Sequence, residues 1–221
     1  MTAHPITSAQ PPIAICGGRG TVQAIPLGSD NVGWIVACEA TGDAALVDGP
    51  EAGPYLEALA ARNLRLAALW TTHTHGDHIG LHRDLQRRGL LQGLEVVACR
   101  PRAAEVPGAN VLVDDGDVLT LGQGAIGQLR ADVWRLEGHL RDHIGFVLQA
   151  STTEVGAVFC GDTMFGAGRG TTAPASWMIG TVWMCWSTRR GSVRRWLRRW
   201  RASRELRGRG EGSLCPIHEK A

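Results

Sequence analysis

The sequence predicts an α+β fold: one substantial domain, with a differently composed segment toward its C-terminus. Three observations predict it. Short apolar runs, several separated by glycine, follow one another through most of the chain and read as strands. Within the first 169 residues only two stretches carry apolar residues at helical spacing. A length of 221 residues with 44% hydrophobic content is enough to bury a full core.

The elements follow in order. Residues 13–15, 22–25, 34–37 and 44–47 are apolar runs that read as sequential strands, and Asp48-Gly49 closes the fourth. Residues 54–63 read as a helix with Pro54 in its first turn and an apolar stripe of Tyr55, Ala58 and Leu59. Residues 66–70 form a continuous apolar run that ends abruptly in polar residues, the pattern of a buried strand. A second helix begins near Asp77, because Leu81, Leu85 and Leu90 follow at roughly helical spacing. Strands are predicted at 95–98, 111–113 and 118–121. The last two flank Asp114-Asp115-Gly116-Asp117, an acidic turn assigned to structure because Asp-Gly turns are common and solvated. Alternation over residues 126–136 gives a long strand, and 144–148 and 155–160 give two more.

Residues 1–12 have neither the basic nor the apolar part of a secretory signal. No apolar stretch approaches the roughly 20 residues needed to span a bilayer. Cys16, Cys38, Cys99, Cys160, Cys185 and Cys215 are scattered without a Cys-x-x-Cys pair, which fits reduced thiols and predicts a cytoplasmic location.

The chain is organised around Thr71-Thr72-His73-Thr74-His75-Gly76-Asp77-His78. A single histidine here would read as a loop residue making one hydrogen bond. Three histidines and an aspartate within six positions, between a strand end and a helix start, read as metal ligands. His73 and His75 point the same way from an extended backbone. Imidazole and carboxylate ligands suit zinc, iron or manganese.

These residues carry a resemblance. His73-Thr74-His75-Gly76-Asp77-His78 resembles the His-x-His-x-Asp-His signature of the metallo-β-lactamase superfamily. Glu137-Gly138-His139-Leu140-Arg141-Asp142-His143-Ile144 and Phe159-Cys160-Gly161-Asp162-Thr163-Met164-Phe165 fit in order, with wording most similar to glyoxalase II (hydroxyacylglutathione hydrolase) and its bacterial relatives. The resemblance covers residues from about 21 to 170 and a short piece at the end. It implies a four-layered αββα sandwich. It also implies two divalent metal ions, zinc first with iron or manganese as alternatives. His73, His75 and His139 would bind one, Asp77, His78 and His218 the other, and Asp162 would bridge them. A metal-bridging hydroxide would then attack the carbonyl of a small-molecule thioester, with Asp77 also orienting the nucleophile. His143 is read as supporting the ligands or the structure rather than binding metal. Asp48 is read equally as a residue that supports a ligand and as a simple turn residue.

The text changes near Gly170. Residues 1–169 hold 12 arginines against 18 acidic residues, a net of −6, whereas residues 170–221 carry a net of +8. Five of the eight tryptophans, Trp177, Trp183, Trp186, Trp196 and Trp200, fall after the break. One reading is functional: Val193, Trp196, Leu197 and Trp200 form an apolar stripe among arginines that could meet an anionic membrane or nucleic acid. The favoured reading is a shifted reading frame. Back-translation of Arg/Trp-rich 193–201 and reading from the third base yields an Ala/Leu-rich, helix-favouring segment. Familiar wording returns in Leu214-Cys215-Pro216-Ile217-His218-Glu219. The chain thus divides into a metallo-β-lactamase-like domain at 1–169, an atypical Arg/Trp-rich segment at 170–213, and a final strand-His-Glu piece at 214–221. Residues 171–212 are expected to contribute little to the core.

The resemblance is weaker at the thiol-binding side. In Ala167-Gly168-Arg169-Gly170-Thr171-Thr172-Ala173, Thr171 stands where the family has a basic residue and Ala173 where it has an aromatic one. The helical region that completes the family's glutathione site is also missing after Lys220. Thioester hydrolysis is therefore the leading expectation, with glutathione recognition impaired. The alternatives are a mononuclear-iron persulfide dioxygenase of the same fold and an inactive metal domain with a basic membrane- or nucleic-acid-binding tail. Nucleic-acid and membrane partners are not favoured, and the oligomeric state stays open.

Overall fold

The computed structural model describes residues 8–29, 31–122, 128–136, 139–148 and 156–163, and the backbone of 182–183. Two sheets are seen. The first has seven strands in sequence order: β1 (Ile13–Ile15), β2 (Gly20–Leu27), β3 (Asn31–Cys38), β4 (Asp43–Val47), β5 (Arg65–Trp70), β6 (Glu95–Cys99) and β7 (Val111–Val113). Strands β1 to β4 pair antiparallel. Strands β4 to β7 pair parallel, with α1 (Gly53–Ala61) and α2 (Gly76–Arg87) as crossovers. The second sheet runs β8 (Val118–Leu121), β9 (Leu129–Arg135), β10 (Ile144–Leu148), β11 (Ala157–Phe159) and β12 (Val182–Trp183), all antiparallel.

Burial explains why the first sheet's strands read as continuous apolar runs. Trp34, Val36, Ala45, Val47 and Trp70 face the second sheet and pack with Leu129, Val133, Phe146 and Phe159. Ile35, Ala37, Leu46 and Leu69 face the other way, onto Tyr55 and Leu59 of α1 and Ile79, Leu81 and Leu85 of α2. A sheet covered on both sides has no polar face to alternate with. Helix, sheet and sheet are thus three layers of the predicted sandwich, and the fourth falls outside the described residues. So do the reading-frame account and residues 214–221. Of segment 170–213, only the backbone of Val182–Trp183 is described, paired with Val158 and Phe159. Among the described residues, no helix is long and apolar enough to cross a membrane.

Both helix ends differ from expectation for a backbone reason. The first helix stops at Ala61, and Asn63 takes φ +52°, which leaves the helical path. The second stops at Arg87, so Leu90 lies beyond it and is 45% exposed. Gly89 adopts φ +70°, its N–H donates to the Gln86 carbonyl, and the Leu90 N–H donates to the Leu85 carbonyl. That pair of bonds is the Schellman closure, which needs a residue free of Cβ strain. The acidic turn is satisfied internally. Asp114 pairs with Arg100 at 2.6 Å, Asp117 accepts from the Asp114 N–H, and Asp115 accepts from the Arg135 N–H.

His82, on the buried side of α2, is a core histidine. Its Nε2 lies 2.9 Å from the Thr71 hydroxyl oxygen, and burial pushes its pKa down to about 4. The unfolded chain protonates this ring near the ordinary value of 6.5, so its stability contribution is complete above about pH 6.5 and lost as pH falls toward 4. At pH 5 the loss from this one group is about 2 kcal/mol. Thermal melts between pH 7 and pH 5 should therefore show a steeper fall for the native chain than for His82→Asn. Equal slopes would remove His82 as a source of acid sensitivity.

Candidate metal centre

The parallel strands deliver one set of groups to a single edge of the sandwich. Strands β4 and β5 pair with Val47 opposite Trp70, so Asp48 emerges beside Thr71 and Thr72. His73 and His75 follow, and the backbone turns into α2 at His75, placing Asp77 and His78 in its first turn. The antiparallel sheet brings its groups to the same edge: His139 after β9, His143 before β10, and Gly161 and Asp162 after β11. The edges are tied together where the Ile144 N–H donates to the Thr72 carbonyl at 2.9 Å.

Four donor groups converge there. Nitrogens of His73, His75 and His139 and a carboxylate oxygen of Asp162 all lie within 4.8 Å of one another. His75 Nδ1 is 3.0 Å from His73 Nε2 and 2.8 Å from His139 Nε2. Asp162 Oδ2 is 3.4 Å from His139 Nε2 and 3.8 Å from His73 Nε2. Two ligands on a tetrahedral zinc with bonds near 2.1 Å stand roughly 3.4 Å apart, so these spacings fit a divalent ion of that kind. The other oxygen of the same carboxylate, Oδ1, lies 3.3 Å from His78 Nε2, which is in turn 3.6 Å from Asp77 Oδ2. Asp162 therefore faces a histidine group with each of its oxygens. Asp77 is half exposed, at the mouth of the centre. His218 lies outside the described residues.

The electrostatics suit a cation in this centre. Burial, with the neighbouring His78, lowers His73 to about 3, so its ring is neutral at pH 7 and has a lone pair to offer. Burial would also lower His78, but the carboxylates of Asp48 and Asp162 outweigh it and lift His78 to about 10. A ring held so strongly in its positive form marks a negative field that a divalent ion would also meet. For Asp162, burial works upward, but His78, His73 and His139 bring the carboxyl below its ordinary range.

Asp48, open between two readings from the sequence, supports a site residue. Its Oδ1 accepts from the Thr72 N–H at 2.8 Å, and its Oδ2 accepts from the Thr72 hydroxyl at 2.6 Å and lies 2.9 Å from His78 Nδ1. This fixes which His78 nitrogen faces Asp162. The geometry requires a left-handed backbone at Asp48, φ +53°, which costs a non-glycine residue on the order of 1 kcal/mol. Tyr55 holds that bend: its hydroxyl lies 2.7 Å from the Asp48 carbonyl and 3.0 Å from that of Val47. His143 stays outside the converging four. It is fully buried, its ring 4.7 Å from the His73 ring, with its pKa pushed by burial to about 4. Sequence reading missed Thr72 and Tyr55. The only signal for them was their nearness to Asp48 and His73, and neither residue type by itself points to a metal site.

Three parallel crossovers, a two-sheet sandwich and a histidine-rich edge give this chain a metallo-β-lactamase-like fold, and the solved structures agree. The B3 metallo-β-lactamase BLEG-1 matches with TM-score 0.54 and 21% identity over 68% of this chain and 76% of its own. A class B3 di-zinc enzyme from an Alaskan soil metagenome matches with TM-score 0.51 and 15% identity over 79% of this chain and 73% of its own. In sequence, the chain is similar to hydroxyacylglutathione hydrolases. That of Gloeobacter violaceus is 38% identical over 141 residues, 64% of this chain and 52% of the relative. That of a Synechococcus strain is 37% identical over 151 residues, 67% of this chain and 56% of the relative. The chain spans about half the length of the curated relatives it matches, and no family model matches it.

Proposed function

We propose that this chain is a metal-dependent hydrolase of small-molecule thioesters, of the glyoxalase II kind. The observation that carries the reading is the orientation of Asp162, with one carboxylate oxygen toward His73 and His139 and the other toward His78. Relatives named hydroxyacylglutathione hydrolase, at 33–38% identity, support the choice of thioester chemistry. His73, His75 and His139 would hold one divalent ion, and Asp77 and His78, with His218, a second. Zinc is the first choice, with iron or manganese as alternatives. When bound, such a pair supplies Lewis acidity and lowers the pKa of water toward neutrality. The chain's residues do the rest. Asp162 keeps the two halves in register, and the Asp48–His78 contact keeps Nε2 aimed inward. Asp77, which is half exposed, would accept a hydrogen from the attacking water and orient it. The same reading takes 1–169 and 214–221 as one domain interrupted by 170–213, in a cytoplasmic protein.

Steady-state kinetics on the metal-loaded chain test this reading. We expect slow hydrolysis of simple activated thioesters and poor saturation by hydroxyacyl-glutathione, because Thr171 and Ala173 stand where the thiol pocket needs a basic and an aromatic residue. Efficient, saturable turnover of the glutathione thioester would show the pocket to be misplaced. No thioester turnover by fully loaded protein would overturn the function itself.

A further inference from the structure

Resting on the metal-binding reading above, we propose that Asp142 is a positioning residue that ties the two ligand-bearing loops to each other. Its partners are Thr74 on one loop and Arg102 on a third segment. Asp142 is 1% exposed, so its carboxylate is buried at the edge where the two sheets meet. Among the described residues, each oxygen has one partner. The Thr74 hydroxyl donates to Oδ2 at 3.4 Å, and Arg102 Nη1 donates to Oδ1 at 3.4 Å. Thr74 lies between His73 and His75 in the chain, and Asp142 lies between His139 and His143. One carboxylate therefore spans the loop that carries two converging histidines and the loop that carries the third.

The third segment meets the other oxygen of the carboxylate. Strand β6 ends at Cys99, parallel to β5, and the single turns that follow (Arg100–Glu105) put Arg102 beside the metal edge. The Arg102 fork is already fixed, with Nε donating to Glu105 Oε1 at 2.7 Å and Nη2 to Oε2 at 2.6 Å. Nη1 is left for Asp142, so the guanidinium joins the exposed Glu105 to the buried carboxylate. A buried ionised carboxylate is a poor way to stabilise a fold, since an apolar side chain of similar volume often serves as well or better. It is a good way to hold a hydroxyl and a guanidinium in one geometry. Hydrogen bonds made to the ligands themselves typically change metal affinity by about 10–100-fold, and a contact one step further out acts more weakly.

The test is the zinc affinity of the metal-free, full-length chain, measured by competition with a chromophoric chelator. Thr74→Val and Asp142→Ala should each weaken binding several-fold, toward the roughly 10-fold low end for partners bonded to ligands. The double variant should be no weaker than the worse single, because both act through one contact. Asp142→Asn, which keeps an oxygen for the Thr74 hydroxyl, should recover part of the loss. Leu59→Ala, a buried change on the helix side of the first sheet, lowers stability without touching the tether and should bind zinc as the parent does. The proposal is overturned if Thr74→Val binds as tightly as the parent, or if Leu59→Ala weakens binding equally. A parent chain that takes up no zinc would instead overturn the metal-binding reading, and the tether with it.

Discussion

Asp162→Ala should abolish thioester hydrolysis, with kcat falling by about 10³-fold or more rather than KM rising. Asp162 is the one described residue whose two carboxylate oxygens face different histidine groups, His73 and His139 on one side and His78 on the other. Among the described residues, no neighbour is placed to take over both contacts. Asp77 is half exposed and lies against His78 alone, and Asp48 is already committed to Thr72 and His78. Removing the carboxylate also leaves His78 with less of the negative field that holds its charge. Steady-state kinetics with an activated thioester, at saturating metal, read the effect directly. Retained kcat in Asp162→Ala would remove the residue from the reaction.

The second large effect is expected at a residue with no side chain. Gly161→Ala should destabilise the fold by about 2–4 kcal/mol and also displace Asp162. Gly161 has φ +46°, a conformation already costly for alanine. A Cβ there would stand 2.4 Å from His143 Nε2, 2.4 Å from the Thr72 hydroxyl oxygen and 2.9 Å from Thr72 Cβ. Neither neighbour can swing into solvent, because both are fully buried, and Thr72 is pinned by Asp48. Relief must come from the backbone that carries Asp162. The measurement is a pair of readings on one sample, denaturant unfolding and zinc affinity. Loss of stability with unchanged zinc affinity would show that Asp162 does not depend on this close approach.

Much of the scaffold was legible because the first sheet is buried on both faces. Runs such as Ala44–Val47 and Leu66–Trp70 are apolar throughout, and they mark strands without any need for alternation. Helix ends were less legible. Asn63 and Gly89 leave the helical path through their backbone angles, and apolar spacing does not register that. The ligand-type residues could be read from three short motifs, since each motif is local. The residues that support them could not. Asp48 meets Thr72 only through the pairing of β4 with β5, and Arg102 meets Asp142 across 40 positions of sequence. Contacts of that kind are made by topology, and a one-dimensional pattern has no signal for them.

On the proposed function, His73, His75, His139, His78 and Asp162 would together hold divalent metal. Elemental analysis of gently purified protein, with no chelator and after equilibration with zinc, tests it most directly. About two equivalents per chain are expected in the parent and about one or fewer in Asp162→Ala. A parent chain that retains no zinc, or one whose zinc content is unchanged by Asp162→Ala, would contradict it.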